Sequence, residues 1–302
     1  MKLIQLAGTA SLVLASLIPT PFVLAQAADA INTDEEYVAW ATEFLTSLDM
    51  QSGDIDLYQA GATLRVPDNY YYLNPADAEK VLVDAWENPP GSNTLGMLFP
   101  TRVSPLDDNA WAVTIDYEED GYVSDENADD IDYSELLFEM QKDIRAGNEQ
   151  RQKSGYDTVE LIGWAADPYY DASAKKLHWA KELKFGSGED INTLNYNIRV
   201  LGRKGVLVLN FIAGMDQKSL VNAELGTVLA MADFNQGSSY ADFDPDLDKV
   251  AAYGIGALIA GKVIAKTGFL VVALVFLKKF GILLLLAAFV FFKKLFSRRP
   301  AT

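Results

Sequence analysis

The chain has 302 residues, with 25 basic and 42 acidic side chains, no cysteine and a single histidine, His178. That inventory excludes disulfides, thiolate metal sites and cysteine nucleophiles, and it leaves zinc little but carboxylates to bind. Lys2 and nine basic residues beyond Asp248 lie at the two ends, so the stretch between them holds 15 basic against 42 acidic residues, a charge near −27 that excludes nucleic acid as a partner.

In chain order, Lys2, the apolar run 3–18, Pro19, Pro21 and Ala25-Gln26-Ala27 predict a secretory signal over 1–27, cleaved after Ala27. An acidic extracytoplasmic domain is expected over 28–247. It opens with an amphipathic helix over 33–48, whose stripe is Tyr37, Ala41, Phe44 and Leu48. Short strands follow over 54–58, 62–66 and 70–73. Asn74 and Pro75 start a second helix, which Asn88-Pro89-Pro90-Gly91 ends.

Strands are expected over 95–99 and 111–117; in the second, Trp111, Val113, Ile115 and Tyr117 alternate with Ala112, Thr114 and Asp116. After an acidic loop, Asp132 caps a helix over 133–149. Four strands over 157–164, 177–185, 195–201 and 206–213 are joined by polar turns, with Gly202-Arg203-Lys204-Gly205 as a four-residue hairpin loop. A helix over 218–232 closes the domain. The fold class is α+β: antiparallel hairpins forming a sheet, several flanking helices, and one or more C-terminal transmembrane segments.

The tail, 248–302, is expected to be embedded in a membrane. Residues 251–292 are apolar apart from Lys262, Lys266, Lys278, Lys279 and a few small polar residues, and Lys293, Lys294, Arg298 and Arg299 follow. Two arrangements stay open. A single pass buries Lys278 and Lys279, while a hairpin places them in its turn but returns the basic end outside. Gly254, Gly256, Gly261 and Gly268 allow close helix packing there, and Lys262 and Lys266 lie one turn apart.

Two constellations carry candidate chemistry. Asp116, Glu118 and Asp120 precede Gly121 and Val123 with the early spacing of a Ca²⁺ loop, but Asn127 stands where a bidentate glutamate belongs, and a strand enters where a helix is needed. His178, with Asp167 and Asp171 on a turn ahead of it, makes an aspartate–histidine base conceivable; the other reading is a histidine packed with Trp164 and Trp179. No G-x-S-x-G elbow, G-x-G-x-x-G or Walker pattern occurs. No cofactor is expected beyond that Ca²⁺ possibility.

Several segments resemble one known family in order and wording. They are Gly121-Tyr122-Val123 with the acidic run to Ile131-Asp132, Asn148-Glu149-Gln150-Arg151, Gly163-Trp164-Ala165 with Pro168-Tyr169-Tyr170-Asp171, Leu177-His178-Trp179-Ala180-Lys181-Glu182, and Tyr240-Ala241-Asp242-Phe243 leading to Ala252-Tyr253-Gly254. This is similar to the DUF2167 family of membrane-anchored bacterial proteins, which implies an envelope protein of unknown activity and transfers no catalytic residue. The resemblance implies a histidine in many members where this chain has Tyr169.

The leading expectation is a non-enzymatic partner-binding module in the periplasm, anchored in the bacterial cell membrane (the inner one if there are two). Its partners would be the membrane and either another protein or further copies of itself. The alternatives are a carboxylate-dependent hydrolase using Asp167, Asp171 and His178, and a Ca²⁺-responsive sensor using the loop from Asp116 to Asp132.

Overall fold

The computed structural model describes residues 35–126, 128–186 and 191–260. Helix α1 (35–46) leads into β1 (Met50–Gln51), β2 (Gly53–Leu57), β3 (Ala62–Val66) and β4 (Tyr70–Leu73). Helix α2 (Pro75–Lys80) starts as its sequence dictates, with Asn74 Oδ1 accepting from the Ala76 and Asp77 amides and Pro75 in the first turn, where its missing N–H costs nothing. A π-helical turn (Val81–Ala85) extends it. Strands β5 (Gly96–Pro100) and β6 (Ala112–Glu118) follow.

Helix α3 (Tyr133–Lys153) is capped by Asp132, which accepts from the Ser134 and Glu135 amides. Then come β7 (Val159–Asp171), β8 (Lys176–Phe185), β9 (Thr193–Leu201), β10 (Val206–Gly214), α4 (Lys218–Met231), β11 (Ala232–Phe234) and the short α5 (Gly256–Ala260).

The strands form two antiparallel sheets. The larger has eight strands in the order β1-β4-β5-β6-β10-β9-β8-β7, and the smaller has three, β11-β3-β2. Period-two alternation sorts the side chains of the large sheet. One face carries Tyr70, Tyr72, Leu98, Trp111, Val113, Ile115, Leu209 and Phe211, and it packs against the small sheet and α4. On the other face, Tyr71, Leu73, Met97 and Phe99 meet α1 and α2 at one end. At the opposite end, Leu161, Leu177, Trp179, Val206 and Val208 meet α3 and α5. Both faces are therefore covered, by a sheet and a helix in front and by two separate pairs of helices behind.

Two local outcomes bear on the sequence reading. The hairpin loop 202–205 forms as expected, with the Gly202 amide donating to the Gly205 carbonyl at 2.9 Å. The Asp167–Asp171 segment is strand, where a turn is expected. Strand β7 runs unbroken through it, and register shifts between Leu161 and Tyr169 absorb the irregularity. Pro168 is tolerated because β7 is a sheet edge, where bulges and missing amide donors cost little.

The fold also runs on beyond Leu247. Val250 pairs with Tyr122 as a parallel bridge, and Ile255, Leu258 and Ile259 are buried against α3 and the sheet. No helix of the described residues is long and apolar enough to cross a membrane. Of the expected tail, residues 261–302 lie outside the described residues, as does the expected signal 1–27.

Candidate functional site

Strand pairing places a band of polar side chains across the middle of the rear face, between the two pairs of helices. Thr114 of β6, Asn210 of β10 and Asn197 of β9 lie side by side in register, and Trp179 of β8 continues the row. Asp116 and Arg199 flank this row on one side, each opposite Val208 of β10. Lys181 and Asn195 flank it on the other, paired across β8 and β9. All are on the same side of the pleat, because they sit at even spacing along paired strands.

Helices α3 and α5 roof part of this band and leave a cleft of about 310 Å³. Trp179, Lys181, Asn197 and Arg199 form its floor. Met140 and Ile144 of α3, with Ala257, Leu258 and Ile259 of α5, form apolar walls, and Glu118, Asp143 and Tyr253 complete the lining. The size falls at the lower end of small-molecule sites, and apolar walls with a few convergent polar groups are their usual make-up.

The electrostatics of the floor are unusual. The Arg199 guanidinium lies 4.9 Å from the centroid of the Trp179 ring, and one of its terminal nitrogens donates to Asn210 Oδ1 at 3.2 Å. Its Nε is shut off from solvent with no partner among the described residues, as is Trp179 Nε1. Burial lowers the pKa of Arg199 to about 10, against the opposing pull of Glu118 and Asp116. Burial, reinforced by the neighbouring Arg199 charge, takes Lys181 down to about 8.

Across the band, burial pushes Asp116 up to about 6, although Arg199 opposes the shift. Among the described residues neither Lys181 nor Arg199 has a carboxylate within ion-pairing distance. Two partly buried cations with no carboxylate at ion-pairing distance are costly, and perturbed groups of this kind concentrate at functional sites.

Elsewhere the acidic loop is tied to the fold. Asp125 accepts from Lys175 Nζ at 2.8 Å, from the Tyr170 hydroxyl at 2.6 Å and from the Tyr240 hydroxyl at 3.0 Å, and these donors hold its pKa below the usual carboxylate range despite desolvation. Asp120 accepts from the Tyr253 hydroxyl at 2.6 Å. Asp248 accepts from Arg203 Nε at 2.6 Å and from the Asp244 amide at 2.8 Å.

The sequence-derived candidates are distributed as follows. His178 is buried on the opposite side of β8 from the cleft, its ring stacked on Tyr169 at 4.7 Å between centroids. Its Nδ1 has no partner among the described residues, and burial drives its pKa down to about 4. Asp171 is engaged in a local turn, accepting from the Ser173 amide and hydroxyl and from the Ala174 amide, and Asp167 is exposed on β7. The structure does not join the three through a hydrogen bond among the described residues.

Asp116 and Glu118 lie along an extended strand, where residues two apart are about 6.5 Å from each other. Among the described residues no group of three or more histidines, aspartates or glutamates is placed to hold a metal ion. Asn127 lies outside the described residues. Gly254 and Gly256 belong to the packed domain: a Cβ on Gly256 would rest at 3.5 Å on Ile131. Gly261, Lys262, Lys266, Lys278 and Lys279 lie outside the described residues.

Sequence reasoning missed Lys181, Asn197 and Arg199. The signal for Asn197 and Arg199 was a charged or amide side chain at alternate positions 195, 197 and 199, which reads as a solvent-facing side until something is known to cover it; Lys181 stands alone among Leu177, Trp179, Leu183 and Phe185 on its face of the strand.

The chain belongs to the DUF2167 family, described as a protein of unknown function, whose model matches residues 49–289. No curated protein matches the chain. Among solved structures, it is similar to cyanobacterial PsbP (CyanoP) from Synechocystis sp. PCC 6803, at 11% identity over 62% of this chain and 92% of that one, with a TM-score of 0.35. It is also similar to the Ran-binding protein Mog1p of Saccharomyces cerevisiae, at 9% identity over 62% and 96%, with a TM-score of 0.27.

Proposed function

We propose that the protein is a membrane-tethered extracytoplasmic binding module, working with a protein partner or with further copies of itself. The observation that carries this reading is the way residues 248–259 are fastened to the domain beside the cleft. The Tyr122 amide donates to the Lys249 carbonyl and the Ala251 amide donates to the Tyr122 carbonyl, each at 2.8 Å. Arg203 holds Asp248, Tyr253 holds Asp120, and Ile255, Leu258 and Ile259 are buried.

A passive anchor needs only a loose linker. Here residues 257–259, on the chain that leads into the apolar stretch, also supply one wall of the cleft. His178, stacked and with its pKa depressed, gives the catalytic alternative no support.

The test is fractionation of cells producing the full chain, followed by protease treatment of intact cells whose outer barrier has been opened. Recovery in the membrane fraction, loss of residues 1–27 and digestion of the domain from outside are expected. Recovery as a cytosolic chain that keeps its first 27 residues contradicts the reading.

A further inference from the structure

We propose that the cleft between α3, α5 and the sheet binds a small amphiphilic anion, a carboxylate or phosphate group carried on a short apolar chain, with the charged group received by Lys181 and Arg199. This specifies what the binding module would hold, and so rests on that reading.

Three independent features converge. The first is the floor, where Lys181 and Arg199 stand on either side of the Trp179–Asn197 row, neither with a carboxylate at ion-pairing distance among the described residues. Natural interiors pair buried charges, because removing one partner of such a pair leaves the other strongly destabilising. Glu118 and Asp116 act on Arg199 only from beyond ion-pairing distance, so an anion received between the two cations gains charge-assisted contacts that the fold itself does not supply.

The second is the walls. Met140 and Ile144 on one side and Leu258 and Ile259 on the other are apolar. They offer an alkyl group a surface that a bare inorganic ion cannot use. Arg199 is also oriented, stacked against Trp179 and held by Asn210, so its planar donors are fixed before any ligand arrives.

The third is the remaining lining. Glu118 and the exposed Asp143 add negative charge to the same cleft. They disfavour anions of high charge and select for one charged group on an otherwise apolar body.

The experiment uses the full chain reconstituted in phosphatidylcholine nanodiscs, titrated by calorimetry with hexanoate, butyl phosphate, inorganic phosphate, inorganic tripolyphosphate and hexanol. Saturable binding of hexanoate or butyl phosphate is expected, at least tenfold tighter than that of hexanol, inorganic phosphate or tripolyphosphate. Which of the two amphiphiles binds better distinguishes a carboxylate from a phosphate source.

Lys181→Met is expected to weaken that binding at least tenfold while raising the melting temperature, because it removes an uncompensated charge. Arg199→Gln serves as a second variant. Equal binding of hexanol, no saturable binding of either amphiphile, or undiminished binding by both folded variants overturns the proposal. Failure of this titration leaves the fractionation result standing, so failure of the ligand assignment is distinguishable from failure of the tethered reading on which it rests.

Discussion

Lys181 and His178 project from opposite faces of β8, and each has its charged form disfavoured by burial. Their consequences fall in different pH windows. Between about pH 4 and 6.5 the unfolded chain protonates His178 and the folded chain does not, so acid draws the equilibrium towards unfolding. The stability this residue contributes is present above 6.5 and lost as pH falls through 4. At about 1.36 kcal/mol per pH unit, that loss is of the order of 3 kcal/mol.

His178→Phe keeps a ring against Tyr169 and removes the titration. Urea denaturation at pH 7 and pH 4.5 is expected to show a smaller acid loss in the variant, and an unchanged loss contradicts the assignment. Lys181 works in the alkaline range. Below about pH 8 it is charged in both states and its penalty is constant; between about 8 and 10.5 only the unfolded chain keeps the proton, so stability rises with pH. Lys181→Met is expected to abolish that rise. Asp116 adds an opposite trend between about 3.8 and 6, where only the folded chain retains the proton and stability falls as pH increases.

Among the elements, those with a local chemical cause were legible. Asn74-Pro75 and Asp132 start helices where expected, because an N-cap side chain and a first-turn proline act within three residues. Asp132→Ala is expected to cost about 1 kcal/mol, read by thermal denaturation. Strands β3 and β4 agree with the reading at both ends, since both are short alternating or apolar runs bounded by turn residues.

Elements that exist only through distant partners were not legible. Strand β11 forms because β3 is there to pair with it, and α5 forms because α3 and the sheet bury Ile255, Leu258 and Ile259. Gly121 shows the same dependence. It has φ +103°, and a Cβ there would run into the Lys249 carbonyl, so this glycine admits the incoming 249–251 segment. Gly121→Ala is expected to destabilise by about 1–3 kcal/mol and to speed limited proteolysis between Lys249 and Tyr253; unchanged proteolysis contradicts the role given to that contact.

At the scale of the whole molecule, the α+β class and the antiparallel pairing followed from periodicity, whereas the layering did not. Strand β9 alternates polar with apolar, which by itself describes a sheet with one wet face, while in β8 most polar side chains fall on the other face and Lys181 interrupts an apolar one. The sheet is instead covered on both faces, because α3 and α5, separated by about a hundred residues, close over the same end of it. That closure turns Lys181 and Arg199 from expected surface charges into the floor of a cleft, and only the assembled fold contains the information. It also places the useful truncation point beyond Ala260, since residues 250–259 are part of the packed domain.

The most direct test of a tethered binding module is purification of the full chain from its native membrane in mild detergent, with native mass spectrometry of the product. The account predicts a species heavier than the single chain, a fixed stoichiometric assembly with a partner or with further copies, which is lost when residues 261–302 are deleted while the domain stays folded. A bare monomer, unchanged by that deletion, contradicts it.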